Sequence, residues 1–187
     1  MGRPKLLLPW EETTVLGHLL AQWRALGTSQ SAVVCAADDE AIARELDRLG
    51  VPGDERIYNP DPGRGMFSSL QAASRWQGWS ANLTHWAVVL GDQPHLRHQT
   101  LRRLLEFSAA HPGEVCQPAR AGHGRHPVIL QRAAFLDLAT SAASDLKEFL
   151  AAMPRPPALC EMEDPGLDLD MDRPEDYANI LGAQKHQ

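Results

Sequence analysis

The chain has 187 residues, of which 43% are hydrophobic and 22% charged, and its formal net charge is −6. This composition predicts a single globular domain over residues 1–187 with a substantial core. The negative charge argues against a protein that coats nucleic acid, although a local basic site or a metal ion would still allow a polyanion to bind. No apolar run is long enough to cross a bilayer, and the first residues do not resemble a signal peptide. The widely separated Cys35, Cys116 and Cys160 predict buried free thiols, so we expect a cytoplasmic protein.

Apolar spacing and turn residues predict helices and strands that alternate along the chain. The predicted helices cover residues 15–26, 40–49, 66–73, 95–110, 133–140, 146–153 and 174–181. The predicted strands cover residues 31–37, 56–59, 85–90, 114–118, 128–130 and 158–162. This alternation is typical of an α/β three-layer sandwich with a mostly parallel sheet. One strand near the end is expected to run antiparallel, because residues 118–127 can form a hairpin.

The loop before the third predicted helix is rich in glycine and hydroxyl residues. Residues 60–65 contain two glycines and Arg64, and the helix then opens with Met66, Phe67, Ser68 and Ser69. A glycine-rich turn that leads into a helix N-terminus offers backbone N–H groups and a positive dipole end to an anion. The alternative is that Ser68 and Ser69 only cap the helix.

The predicted strand 85–90 ends in Gly91, Asp92, Gln93 and Pro94. An apolar run of this length, bounded by turn residues, is typical of a strand that is buried on both faces. Ligands bind just beyond the carboxyl ends of such strands, so Asp92 is a candidate for metal or phosphate chemistry. Gly91 would allow a ligand to approach the backbone closely. The alternative is that Asp92 caps the helix that follows.

Apolar and acidic residues alternate without a break from Leu167 to Asp172. In an extended conformation, Asp168, Asp170 and Asp172 would share one face, where their mutual repulsion would be relieved by a hard divalent cation. The alternative is a solvated edge strand with a helix cap at Asp172. A carboxylate at Asp92 favours the cation, since Mg²⁺ at a triphosphate needs only one or two protein carboxylates.

Five short motifs occur in an order that resembles the MobA-like NTP transferase family, and within it the molybdenum cofactor cytidylyltransferases. The motifs are residues 1–9 (MGRPKLLLP), Asn59 with residues 65–70 (GMFSSL), residues 90–94 (LGDQP), residues 126–128 (HPV) and residues 170–177 (DMDRPEDY). The resemblance covers nearly the whole chain. It implies a Rossmann-like, GT-A-like nucleotidyltransferase fold and Mg²⁺-dependent transfer of CMP from CTP to the terminal phosphate of molybdopterin, with release of pyrophosphate.

The resemblance also implies roles for particular residues. Lys5 and Asp92 would be catalytic, with Lys5 on the nucleotide's phosphates and Asp92 on Mg²⁺, and Asp170 or Asp172 would be a second acidic ligand. The residues that would bind the nucleotide or the acceptor are Lys5, Asn59, Gly65, Ser68, Ser69 and Gly91. A molybdoenzyme would be the protein partner that receives the product.

The chain departs from this family at its first residues. The family begins with a buried strand and a glycine-rich phosphate loop directly before the motif that here starts at Met1. Two explanations follow, a longer working protein or a truncated relative whose catalysis is weakened or lost. The alternative function is therefore a non-catalytic homologue that binds a cofactor or serves a molybdoenzyme as a chaperone-like partner, with an exposed groove in the sheet.

Overall fold

Helices and strands alternate in the computed structural model, which describes residues 4–184. The helices are α1 (Val15–Ala25), α2 (Glu40–Arg48), α3 (Met66–Arg75), α4 (His98–Ala110), α5 (Arg132–Asp137), α6 (Leu146–Ala151) and α7 (Pro174–Gln184). The strands are β1 (Pro9–Trp10), β2 (Thr13–Thr14), β3 (Val33–Ala36), β4 (Arg56–Asn59), β5 (His85–Val88), β6 (Cys116–Arg120), β7 (His123–Gly124), β8 (Val128–Gln131) and β9 (Ala158–Glu161). The predicted order of elements is confirmed, with the helix predicted from residue 95 beginning at His98.

The strands pair in three sheets. β1 and β2 form a small antiparallel pair, and β3 and β4 form a parallel pair. The largest sheet has the order β5-β8-β6, with β7 and β9 also paired to β6. β8 is antiparallel to both β5 and β6, whereas β9 is parallel to β6. The sheet is therefore mixed, and the direction reverses at the hairpin that residues 118–127 were expected to form.

Side chains alternate between two cores on the two faces of the largest sheet. Trp86 and Val88 of β5 pack into one core, together with residues of α3, α5 and α6. Ile129 of β8 and Cys116 of β6 pack into the other, together with residues of α1 and α4. Because successive strand residues point to opposite faces, this arrangement gives the three layers that the sequence predicts.

Several strands have a single strand partner within residues 4–184, and β3 and β5 are two of them. β3 pairs only with β4, and β5 pairs only with β8. All four residues of β3 are half-buried although they are apolar, and Val89, just after β5, is 37% exposed.

Helix termini are capped by residues close to them in the sequence. The hydroxyl of Thr14 accepts a hydrogen bond from the N–H of Gly17, and Asp39 caps α2 through the N–H of Ile42. Gly27 follows α1 with a φ of 84°, a backbone conformation that glycine adopts without strain. Over residues 4–184, no helix combines the length and the apolar character needed to span a membrane.

Candidate active site

The carboxyl end of β5 leads directly to Asp92. A Cβ atom on Gly91 would lie 2.5 Å from Cδ2 of Leu6, so glycine at this position lets the segment of Lys5 and Leu6 pack against the turn that holds Asp92. α4 begins after Arg97 without a side-chain cap, so the alternative in which Asp92 caps this helix is wrong. Contact between Gly91 and a ligand stays a prediction.

The surroundings of Asp92 favour a bound cation. Its Oδ1 atom is buried and accepts no hydrogen bond from residues 4–184. Burial raises the pKa of the Asp92 carboxyl, and the nearby charge of Asp170 raises it further. The Lys5 ammonium opposes these effects and lowers the pKa. A partly buried carboxylate that has an oxygen without a donor and faces a like charge is stabilised by a divalent cation.

Asp170 and Asp172 reach the same place from the segment before α7. The side-chain amide of Gln93 donates to Oδ1 of Asp170 over 3.2 Å. Nζ of Lys5 lies 2.5 Å from Oδ1 of Asp172, and this bond lowers the pKa of the Asp172 carboxyl. The fold thus gathers one ammonium and three carboxylates, Lys5 with Asp92, Asp170 and Asp172, although about 80 or more residues separate these segments of the sequence.

The acidic segment is not the continuous extended run that its alternation predicts. Pro165–Asp168 form a 3-10 turn, in which the Asp164 carboxylate accepts a hydrogen bond from the N–H of Gly166. The turn breaks the alternation, so Leu169 is 45% exposed while Leu167 and Met171 are buried. Neither the cation-facing strand nor the solvated edge strand forms here, because the backbone hydrogen bonds of this segment are made within the turn that Asp164 caps.

Asp168 therefore does not share a face with Asp170 and Asp172. It forms ion pairs with Arg120 and with Arg125, the second over 2.8 Å. These two arginines lower the pKa of the Asp168 carboxyl. The turn thus separates the three acidic residues into one that is neutralised by arginines and two that lie near Asp92.

The loop between β4 and α3 is organised by a buried amide. Asn59, 2% exposed, donates from Nδ2 to the hydroxyls of Ser68 over 2.7 Å and Ser69 over 3.0 Å. The Ser68 hydroxyl in turn donates to the carbonyl oxygen of Gly65 over 2.7 Å. α3 begins at Met66 without a side-chain cap, so the capping role proposed for Ser68 and Ser69 is wrong. The N–H groups of its first turn thus remain without a side-chain acceptor in the described part of the chain.

A groove of about 450 Å³ runs between β4 and α3 beside this loop. Asn59, Ser68 and Arg64 line it, together with Tyr58 and Arg75. The groove combines cationic and aromatic side chains, which suit a phosphate and a flat ring respectively. Among residues 4–184, no hydrogen bond joins this loop to the group formed by Lys5, Asp92, Asp170 and Asp172.

His126 lies near Asp92, although sequence reasoning gave it no role beyond its place in a motif. It precedes Val128, which pairs with Val88 of the antiparallel β5, so the register places it at the same strand end as Asp92. Burial lowers the pKa of its imidazole, while a hydrogen bond to the backbone of Val88 raises it, as do the charges of Asp92 and Asp170. Sequence reasoning missed the position of His126 because it follows from the pairing of β5 with β8, which only the folded chain shows.

Residues 4–184 contain no group of three or more His, Cys, Asp or Glu side chains close enough together to hold a metal ion by themselves. Mg²⁺ at phosphates commonly uses only one or two protein carboxylates. Asp92 and Asp170 have the right chemistry for such ligands, whereas Lys5 already occupies an oxygen of Asp172.

The sequence model of one protein family, described as the MobA-like NTP transferase domain, matches residues 1–157 of the chain. The chain belongs to this family, and it therefore has the α/β Rossmann-like fold of nucleotidyltransferases that the sequence predicts. Asp170 and Asp172 lie outside the matched residues, so their place in the site rests on the tertiary structure.

Individual relatives agree with this assignment. The molybdenum cofactor cytidylyltransferase of Escherichia coli (strain K12) is 22% identical over 178 residues, which covers 95% of this chain and 86% of that protein. A crystal structure of an Rv0371c homologue from Mycobacterium sp. strain JC1 has a TM-score of 0.75 at 26% identity and covers 100% of this chain and 90% of that one. The manganese complex of Rv0371c from Mycobacterium tuberculosis H37Rv has a TM-score of 0.70 at 26% identity, covering 97% of this chain and 93% of that one.

Proposed function

We propose that the protein transfers CMP from CTP to the terminal phosphate of molybdopterin and releases pyrophosphate, with Mg²⁺ as the cofactor. The observation that carries this proposal is the approach of Asp170 to Asp92 beside Lys5, two carboxylates and an ammonium at the carboxyl end of β5. The similarity to a molybdenum cofactor cytidylyltransferase supports cytidylyl transfer to a pterin acceptor. The free thiols support a cytoplasmic setting. A molybdoenzyme would be the partner that receives the product.

The residues at this edge fit a divalent cation. The unpartnered buried oxygen of Asp92 and the proximity of Asp170 would make these two carboxylates its protein ligands. The bound ion would neutralise charge on the triphosphate and orient it for displacement. A manganese complex of the similar Rv0371c supports a divalent cation in proteins of this fold.

Lys5 would supply the second cationic group. Its ammonium is held by Asp172 and its side chain is 34% exposed, so phosphate oxygens could reach it. A lysine ammonium acts on phosphates as a compact point charge. Because the acceptor phosphate already carries the attacking oxygen's negative charge, no strong general base is required, and positioning and charge neutralisation would supply most of the rate.

Pyrophosphate release from CTP in the presence of molybdopterin and Mg²⁺ tests the proposal. We expect release by the wild type, loss of at least about a hundredfold in Asp92→Ala, and a comparable loss in Asp170→Asn. The matched control is Asp168→Asn, which removes a neighbouring carboxylate that arginines hold and should keep its activity. Equal release by Asp92→Ala and the wild type would remove Asp92 from the mechanism.

Two alternatives are outcomes of the same experiment. Turnover with a different phosphorylated acceptor at fixed CTP would change the assigned substrate and leave the chemistry intact. The absence of turnover together with the absence of CTP binding would favour the non-catalytic homologue that binds a cofactor or a molybdoenzyme.

A further inference from the structure

Two segments that carry the candidate cation ligands are tied together by side-chain hydrogen bonds. Segment 93–100 follows Asp92, and segment 164–170 ends at Asp170. We name the three bonds between these segments the clamp. They are Gln93 Nε2 to Asp170 Oδ1 over 3.2 Å, His95 Nε2 to the Gly166 carbonyl oxygen over 2.9 Å, and the Thr100 hydroxyl to Asp164 Oδ2 over 2.5 Å.

The Thr100–Asp164 bond of the clamp is buried, and the bonds from Gln93 and His95 are partly buried. Gln93 is 5% exposed, Thr100 8% and Asp164 7%. Leu96 and Leu167 lie in the same hydrophobic core cluster beneath it. Buried hydrogen bonds exclude water and hold a fixed geometry, which exposed ones do not.

Holding a turn with a buried carboxylate costs free energy of desolvation. Asp164 receives hydrogen bonds from Thr100 and from the N–H of Gly166, and the nearest guanidinium nitrogen, Nε of Arg97, is 4.0 Å away. Apolar side chains of similar volume commonly stabilise a fold as well as or better than a buried charge does. What the bonded arrangement adds is a single register between the two segments, and this register sets where Asp170 stands relative to Asp92.

The register matters because Gln93, the residue next to Asp92, bonds Asp170, so two carboxylates of like charge lie near each other and repel. Without a tether, the loop that carries Asp170 would relax away from Asp92 and lower the affinity for a cation. Removing groups that orient metal ligands typically lowers metal affinity by about 10- to 100-fold.

We propose that the clamp is a positioning device for the cation site, in which Thr100, His95 and Gln93 hold Asp170 at the distance from Asp92 that a divalent cation requires. This inference rests on the proposed function, because it assumes that Asp92 and Asp170 are ligands. None of the three clamp side chains needs to touch the cation or the substrate.

Mn²⁺ binding, followed by electron paramagnetic resonance with a non-hydrolysable α,β-methylene analogue of CTP present, tests the clamp. Thr100→Val keeps the side-chain shape and removes the hydroxyl, and we expect the Kd for Mn²⁺ to rise about tenfold. Thr100→Ser keeps a hydroxyl and should restore the affinity to within about twofold. Gln93→Met, which removes the amide from Asp170, is a second variant and should also raise the Kd about tenfold.

The matched control is Ser74→Ala. Ser74 is 6% exposed and its hydroxyl donates to the Phe135 carbonyl oxygen over 2.7 Å, so this variant also breaks a buried hydroxyl bond, but in the opposite core. We expect a lower melting temperature in Ser74→Ala as in Thr100→Val, with an unchanged Kd for Mn²⁺. If Thr100→Val and Gln93→Met bind Mn²⁺ as Ser74→Ala does, while Asp92→Asn binds none, the clamp is overturned and the proposed function stands. If the wild type binds no Mn²⁺, both proposals are overturned.

Discussion

At the scale of single residues, the site is built from side chains that are poorly placed for stability. A carboxylate that is partly buried, has one oxygen without a donor and faces another carboxylate lowers the stability of the folded chain, since its charged form is disfavoured. Asp92 is such a group. An unfavourable carboxylate of this kind is characteristic of ligand sites, where the bound ligand supplies the opposite charge.

Asp92→Asn should therefore stabilise the protein while it removes activity. The raised folded pKa of Asp92 means that ionisation at neutral pH opposes folding, so we expect the melting temperature at pH 7 to rise by about 1–3 °C. The gain should shrink as the pH falls through the raised pKa, because the wild type then binds a proton, and it should vanish below the ordinary value of 3.8. Thermal melts between pH 3.5 and 7 measure this difference. A lower melting temperature for the variant at pH 7 would show that Asp92 is a structural residue.

Lys5→Gln should weaken CTP binding with little effect on stability. Lys5 forms an ion pair with the largely exposed Asp172, and exposed pairs contribute little to folding. We expect KM for CTP to rise about tenfold, as one lost charge-assisted contact predicts, with little change in melting temperature. Steady-state kinetics at fixed Mg²⁺ measure the effect. Lys147→Gln, which removes an exposed lysine on α6, is the matched control and should leave KM unchanged.

At the scale of elements, the loop from Asn59 to α3 depends on one glycine. Gly65 has a φ of 84° and a ψ of −175°, a region that essentially only glycine occupies, and a Cβ there would meet no atom within 4 Å. Any cost of substitution is therefore a backbone cost, and the loop conformation that orients Asn59 and Ser68 should be sensitive to it.

Gly65→Ala should lower the free energy of unfolding by about 1–3 kcal/mol. Gly63→Ala is the matched control, because a Cβ there makes only an ordinary contact at 3.8 Å with Oδ1 of Asp61 and no left-handed φ is required. That variant should be neutral or stabilising by up to about 1 kcal/mol, through a less flexible unfolded chain. Urea denaturation measures the free energy of unfolding of both variants, and the m-value should be unchanged. Equal effects of the two substitutions would contradict the backbone argument.

At the scale of the whole molecule, the site lies between segments that only the folded state brings together. Lys5, Asp92 and Asp170 come from the start, the middle and the end of the chain. A ligand that joins them binds the native state and not the unfolded chain, so binding adds directly to the stability of the fold.

CTP with Mg²⁺ should therefore raise the melting temperature. At a ligand concentration about 100-fold above Kd the gain is about 2.7 kcal/mol, which corresponds to about 5–11 °C for a domain of this size. Differential scanning fluorimetry measures the shift, with Asp92→Ala and CTP without Mg²⁺ as controls. No shift at saturating CTP and Mg²⁺ would favour the non-catalytic alternative.

Most of the fold could be predicted because its signals are local. The helix caps at Thr14 and Asp39, the glycine after α1 and the apolar run of β5 are each decided by neighbouring residues. Predictions failed where a local pattern met a distant partner. Leu169 alternates with Leu167 and Met171, yet it is exposed, because the turn capped by Asp164 is fastened to Thr100 far away in the sequence.

The sequence by itself determined the order of the elements, the α/β class and the position of Asp92 after a strand, since these follow from periodicity and turn chemistry within a few residues. The strand before Asp92 was predicted to be buried on both faces, but β5 lies at an edge and only alternate residues are buried. The tertiary structure alone decided which aspartates meet Asp92. Asp168, Asp170 and Asp172 are equivalent by spacing, but Arg120 and Arg125 neutralise the first, Gln93 holds the second and Lys5 the third. The physical reason is that these ion pairs and hydrogen bonds join residues that lie far apart in the chain. Only the folded backbone brings such residues within a few ångströms of one another.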